Sequence, residues 1–289
     1  MAIGGLNRDQ SKMSSDTSVE VHASPPFFLP PMDVPIGAVT VTTPDRIMLL
    51  CARYVCYKFD KTSGKWPKHS DLPDERLSSG AVSLTSGTYL LGGKAAARRT
   101  SLFLAKGSTT WVAGPDIPRG GFYFSCVVKW GSIKFVIVGS LKWDATQMTM
   151  YDEQTKAWTD FDSELAEPGL GKLACIRAEG PAVLVTGGTT PATGTTSVAD
   201  AFGQHGTTKT FKLNRHGDVA DAGNLQQRRQ DHAMIELDGK VIVVGGRTGN
   251  LVIGSYGTIE QWDEVNNEWT RVLTGLMEGR YGHTLAIFP

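Results

Sequence analysis

The sequence lacks a surplus of either charge: 29 Lys+Arg balance 29 Asp+Glu over 289 residues. A chain whose main task is neutralising phosphates or anionic lipid carries a basic excess, so that class is disfavoured. Nor is there a basic stripe interleaved with aromatics, so nucleic acid is not an expected partner. No run of 18 apolar residues occurs, which excludes a membrane-spanning helix, and no membrane partner is expected. Cysteine is scarce, with four residues, Cys51, Cys56, Cys126 and Cys175. None pairs as CxxC for zinc, and none has the loop setting of a small disulfide-stapled scaffold. Each lies inside an apolar run, so the expectation is buried, reduced thiols. With no Asn-x-Ser/Thr acceptor and no apolar leader, this points to a cytoplasmic chain; secretion would require a leader upstream of Met1. The sequence also lacks a G-x-S-x-G elbow, an H-E-x-x-H pair, a phosphate-binding loop and a dinucleotide fingerprint. No catalytic residue, metal ligand or cofactor is therefore assigned, and the chain is expected not to be an enzyme.

Glycine, by contrast, is abundant, at 33 residues, against a usual share of about 7%. Together with many short apolar runs it predicts tight turns between short strands. One spacing repeats: an aromatic residue, an Asp, and a Trp six positions after the Asp. It occurs as Phe59-Asp60…Trp66, Tyr151-Asp152…Trp158 and Trp262-Asp263…Trp269. Polar turn residues fill each interval, so the pattern reads as strand, turn, strand. Upstream, apolar strands end in diglycine at Gly92-Gly93, Gly187-Gly188 and Gly245-Gly246, with degenerate forms at Gly139-Ser140 and Cys51-Ala52. Glycine there permits positive φ and close backbone approach. Downstream come Asp71-Leu72-Pro73 and Asp116-Ile117-Pro118-Arg119, and the related pair Arg229-x-x-His232 and Arg280-x-x-His283. Aligning the Asp and Trp columns gives six units, the weaker ones being His22/Phe28 and Asn214/Ala220.

These residues resemble the kelch repeat: a diglycine, a Tyr-Asp-like pair, a Trp six later and a Pro-Arg turn. The resemblance spans nearly the whole chain and implies an all-β fold, a six-bladed β-propeller of four-stranded antiparallel blades. A lone four-stranded meander leaves two faces to bury, and stacking blades around an axis covers them. The chain starts mid-unit, with Ile3-Gly4-Gly5 as the end of a second strand, Ser18–His22 as a third and Phe27–Leu29 as a fourth. It ends on a first strand, Thr284–Phe288. One composite blade (1–37 plus 283–289) is thus expected to close a single propeller over 1–289. The other blades fall at about 38–80, 81–123, 124–172, 173–231 and 232–282.

The turn between third and fourth strands has one length in this alignment, whereas the stretch between diglycine and Asp columns varies and is longest from Gly188 to Asn214. Length variation in repeats gathers on the ligand-facing side. In an antiparallel meander that side also receives the fourth-to-first turns. They carry Arg76, Ser79, Arg119, Arg229, Asp231, Arg280 and Tyr281, and the second-to-third loops add Lys94 and Arg247. Guanidinium forks suit carboxylates, and the resemblance implies contact with acidic peptides for Arg119, Arg229 and Arg280, which match the family's turn, but not for the turns with Ile36 and Gly169. Each Arg has a second reading, as a cap for loop carbonyls or a partner for a neighbouring Asp. The function expected is a non-catalytic module binding an acidic peptide or protein segment, within a larger complex whose other members supply the action. A kelch-type sugar-acid isomerase or mutarotase is the alternative. His232 and His283 are expected to hydrogen-bond at the turns, and the Trp column to be core.

Overall fold

A computed structural model of the chain describes residues 37–93, 97, 99–118, 126–139, 148–163, 165, 171–177, 182–189, 206–249, 255–272, 275–276 and 279–285, with the backbone of 2–3 and 19–20. Every regular element of three or more residues among them is a strand. Two short strands come first, β1 (Ala2–Ile3) and β2 (Val19–Glu20). Next are β3 (Val39–Thr42), β4 (Met48–Lys58) and β5 (Lys68–Arg76). They are followed by β6 (Gly80–Ser83), β7 (Gly87–Leu91), β8 (Ser101–Ala105) and β9 (Trp111–Ala113). A further quartet is β10 (Cys126–Lys129), β11 (Lys134–Val138), β12 (Met148–Asp152) and β13 (Ala157–Asp160). Then come β14 (Ala174–Arg177), β15 (Val183–Thr186), β16 (Thr207–Leu213) and β17 (Val219–Arg229). The last full quartet is β18 (Ala233–Leu237), β19 (Lys240–Val244), β20 (Ile259–Asp263) and β21 (Glu268–Arg271), and β22 (Thr284–Leu285) follows. They form six antiparallel sheets: four simple four-stranded meanders, the sheet β3-β4-β5, and the sheet β2-β1-β22. In that last sheet the two ends of the chain pair in register, Ala2 with Leu285 and Ile3 with Thr284, while Ile3 also pairs with Val19. The fourth strand expected at Phe27–Leu29 lies outside the described residues.

The second strand of each full meander reads as a continuous apolar run because both of its faces are covered. β7 and β15 are buried at every position. What covers them is the neighbouring sheet. Leu49, Leu90 and Trp111 pack in one cluster, Tyr89, Phe135 and Ile137 in the next, then Val138, Val185 and Phe211, and then Leu184, Val243 and Trp269. Each cluster joins two consecutive sheets. At about 1.5–3 kcal/mol per fully buried large side chain, these junctions are the main source of stability. Leu285 packs with Val244 and Ile259. On its other side Thr284 Oγ1 lies 2.6 Å from Thr40 Oγ1, which also donates to the Leu285 carbonyl at 2.8 Å.

The turns leading into the first strands are bonded to one another through their backbones. The Ser78 N–H donates to the Gly37 carbonyl (2.7 Å), Gly37 to Gly282 (3.5 Å), Gly282 to Asp231 (2.8 Å) and Asp231 to Lys172 (3.0 Å). All five residues have positive φ, between 54° and 81°. The left-handed conformation swings each N–H sideways toward the preceding turn. At Gly37 a Cβ would lie 2.8 Å from the Ser78 backbone nitrogen, so glycine is required there.

The Asp column acts locally. Asp60, Asp152 and Asp263 each accept, through Oδ1, the backbone N–H two residues on, at 2.8–2.9 Å. Such side-chain caps are what favour Asp in turns. Hydrogen bonding holds all three carboxyls below the usual range, led by Ser63 for Asp60, Lys134 for Asp152 and Asn266 for Asp263. The preceding aromatic then faces the Trp across the ladder: Tyr151 pairs with Trp158 and Trp262 with Trp269. Trp111 and Trp269 are core, whereas Trp66 and Trp158 are only half-buried. The turn is not uniform in length. Leu213 pairs with Val219, one residue sooner than Tyr151 with Trp158, because the Asn214 N–H closes a shorter turn onto the Asp218 carbonyl.

The cysteines depart from expectation: none is free. Cys51 and Cys56 form a disulfide within β4, with Cα atoms 4.1 Å apart. β4 doubles back between them. Its first half pairs with β3 and its second with β5, Arg53 at the reversal has φ 52°, and the Phe59 N–H reaches the Met48 carbonyl at 3.0 Å. Where the diglycine is missing, a cystine thus pins the turn, and the doubled β4 supplies two of the four expected strands. Cys126 and Cys175 form the second disulfide, from β10 to β14 in neighbouring sheets. Both bonds remove the reason given above for a reducing compartment. Closure of a loop with sequence separation 49 predicts that Cys126→Ser/Cys175→Ser costs about 4 kcal/mol in urea unfolding, against about 2 kcal/mol for Cys51→Ser/Cys56→Ser with separation 5. Equal losses from the two pairs would contradict this.

Candidate functional site

The first strands β3, β6, β10, β14, β18 and β22 all line one cavity of about 430 Å³. Their alternation sends one set of side chains into the inter-sheet clusters and leaves the other facing this space. At one mouth the fourth-to-first turns meet the second-to-third loops. Gln230 and Arg247 bond each other's backbones at 2.9 and 3.0 Å, and Gly171 does the same with Thr189. The two loop classes therefore share a face, as the antiparallel argument expects.

At this mouth the cavity is lined by Lys172, Asp231, Arg247 and Tyr281. The Arg247 guanidinium donates from Nε to Asp231 Oδ2 at 2.9 Å and holds the same oxygen from a terminal nitrogen at 2.8 Å. Lys172 Nζ stands 3.7 Å from that oxygen. Arg247 also lies over the Tyr281 ring, 4.2 Å from its centroid, a cation–π contact. The Tyr281 hydroxyl is buried and makes no hydrogen bond among the described residues. Burial raises the Tyr281 pKa and lowers that of Lys172, which Asp231 partly restores. Two cations thus converge beside the cavity on one carboxylate, and the Tyr281 ring packs against one of them.

The other residues named from sequence have different places. Arg76 and Arg229 are fully buried and reach from the end of one sheet into the next. Arg76 donates to the carbonyls of Gly92 and Thr100 (2.9 Å each), to Thr100 Oγ1 (2.7 Å) and to Asp74 two residues before it. Arg229 repeats the pattern on the Gly245 and Thr258 carbonyls, Thr258 Oγ1 and Gln227, and adds a buried pair with Glu260 at 2.7 Å. Both are clamps between sheets, with their donors engaged inside the protein. Ser79 is buried and donates to the Gly92 carbonyl. Arg280 is buried; its backbone N–H bonds Tyr256 and its carbonyl receives the Gly246 N–H. Lys94 and Arg119 lie outside the described residues. Sequence reasoning missed Lys172 and Glu260. Lys172 precedes Ala174 as Asp231 precedes Ala233, so an alignment on first strands rather than on Arg would have found it.

The two histidines pack over diglycines. A Cβ on Gly187 would lie 2.7 Å from His232 Cε1, and one on Gly245 would lie 2.7 Å from His283 Cε1. His232 Nε2 is 2.8 Å from Thr186 Oγ1, so its bond is to a side chain. Neither nitrogen of His283 has a partner among the described residues. Among the described residues no cluster of His, Cys, Asp or Glu could hold a metal.

Residues 228–272 match the kelch motif. Over that stretch the chain is similar to one kelch repeat. The match runs from Arg228 through the whole sheet β18–β21, so the matched segment includes the clamp arginine Arg229 and Arg247. The kelch diglycine is Gly245-Gly246, both with positive φ. No curated protein sequence matches the chain. No helix among the described residues is long and apolar enough to cross a membrane.

Burial, reinforced by Arg229 and Arg280 respectively, pushes His232 and His283 down to about 3. Each is held neutral in the fold, with a pKa below that of the unfolded chain. Their contribution to stability is complete above pH 6.5 and is lost as pH falls toward 3. His283→Leu should therefore flatten the acid limb of the stability curve by about 1.4 kcal/mol per pH unit across that window. Parallel curves for the two proteins would refute the buried neutral imidazole.

Proposed function

We propose that the six sheets close into a six-bladed β-propeller, with a composite blade made by both chain ends, and that it serves as a non-catalytic interaction module. It binds a peptide or protein segment carrying a carboxylate at the cavity mouth, within a larger complex. The observation that carries this reading is the cluster of Arg247, Lys172 and Tyr281 around Asp231, with the Tyr281 hydroxyl buried and unpartnered beside the cavity. A buried donor without an acceptor costs about 1–3 kcal/mol, which an incoming carboxylate would offset. The kelch motif over 228–272 supports a protein-interaction role. Ligand contact is assigned to Arg247, Tyr281 and Lys172, whereas Arg76 and Arg229 hold the scaffold. The two disulfides suit an oxidising compartment.

The test is fluorescence anisotropy with a library of acidic peptides. Arg247→Ala should weaken capture at least tenfold, consistent with about 1.5–3 kcal/mol for a charge-assisted hydrogen bond. Tyr281→Phe should weaken it severalfold while raising the unfolding midpoint of the free protein, because the unpartnered hydroxyl is gone. Capture unchanged in both variants would overturn the placement.

A further inference from the structure

The two disulfides differ in what they face. Cys51 and Cys56 are sealed inside the inter-sheet cluster with Leu49 and Leu72, at 1% and 0% exposure. Cys126 and Cys175 are half-buried and line the central cavity. They sit on first strands of different sheets, so no backbone ladder runs between them. Both also pack, part-buried, against the cluster that includes Val128, Val136, Val185 and Phe211, which joins the two sheets by side-chain contacts as well. A disulfide exchanges when a thiolate can reach one sulfur along the bond, so access decides which of two bonds reacts.

We propose that Cys126–Cys175 is a thiol-exchange site within the cavity, open to a low-molecular-weight thiol, while Cys51–Cys56 is inert. The entering thiolate attacks one sulfur of the pair. Its S–S bond to that cysteine forms as the Cys126–Cys175 bond breaks, and the other cysteine leaves as a thiolate that takes a proton from water. A second molecule of the same thiol resolves the mixed disulfide. It leaves both cysteines as thiols, and the small thiol departs as its own disulfide, with two electrons passed to the protein. The mixed disulfide places its adduct inside the cavity, and the dithiol state removes the staple between β10 and β14. The inference needs the cavity and not the peptide reading, so either can fail without the other.

The experiment treats the full, air-oxidised chain with reduced glutathione under native conditions, quenches with an alkylating agent, and maps each cysteine by peptide mass spectrometry. Cys126 and Cys175 should carry glutathione or the alkyl label at least tenfold sooner than Cys51 and Cys56, with the circular dichroism unchanged. Cys126→Ser/Cys175→Ser should take up no glutathione while folded. Reaction of Cys51–Cys56 at an equal or greater rate would overturn the proposal. So would reaction of the cavity pair only after unfolding in denaturant, or free Cys126 and Cys175 thiols in the oxidised chain.

Discussion

Five of the six sheets are hydrogen-bonded in series at their entry turns among the described residues, and the geometry of the mouth depends on those bonds. Within a sheet, backbone groups are satisfied by the ladder. Between sheets most of the contact is side-chain packing, which is strong but permits sliding, with hydrogen bonds such as those of Arg76, Arg229 and Thr40 added at particular points. The bonds from Ser78 to Gly37, Gly37 to Gly282, Gly282 to Asp231 and Asp231 to Lys172 fix the first strands at a set height and spacing. They require a left-handed residue at each step. Glycine takes that conformation without strain, but Ser78, Lys172 and Asp231 do so at a cost that is small for Asp and larger for Lys. Because Asp231 and Lys172 are themselves links in this series, the same constraint that spaces the sheets sets the charged cluster at the cavity mouth.

The arginine clamps act one layer further out. Arg229 enters the neighbouring sheet where the diglycine exposes its carbonyls, and it pairs with Glu260, whose carboxylate also receives the backbone N–H of Gln226 and Gln227. Removing one member of a buried pair strands the other, which typically costs about 3–5 kcal/mol. Arg76 lacks a counterpart of Glu260, since Leu102 stands at that position two after Thr100, and it relies on Asp74 instead. The buried basic residues thus divide by what they face: Arg76 and Arg229 have their donors engaged in the scaffold, whereas Arg247 and Lys172 lie beside the cavity.

Much of the architecture was legible because its signals are local. The Asp column folds a turn through a bond two residues long, and the aromatic–Trp spacing follows from that turn's register. The pairing of Ile3 with Thr284 and Val19 followed from counting strands. The roles of the arginines were not legible. An Arg before a first strand reads the same whether it faces solvent or reaches into the next sheet, and only the carbonyls of Gly92 or Gly245 decide between them. The cystines escaped for a similar reason. Cys126 and Cys175 occupy equivalent strands of neighbouring sheets, a relation that hydrophobic context conceals. At Cys51 and Cys56 the missing diglycine was itself the signal of a different turn.

The kelch-like segment and the cavity together describe a frame that presents a small charged cluster, as the proposed recognition role requires. The frame stands or falls with the turn-to-turn bonds. Residue-resolved amide hydrogen exchange tests them directly, since turn amides facing solvent exchange quickly and bonded ones only on opening. The account predicts that the amides of Ser78, Asp231 and Gly282 are protected to the level of the β7 and β15 ladders. Exchange of these three at the rate of open turns, with the ladders still protected, would contradict it.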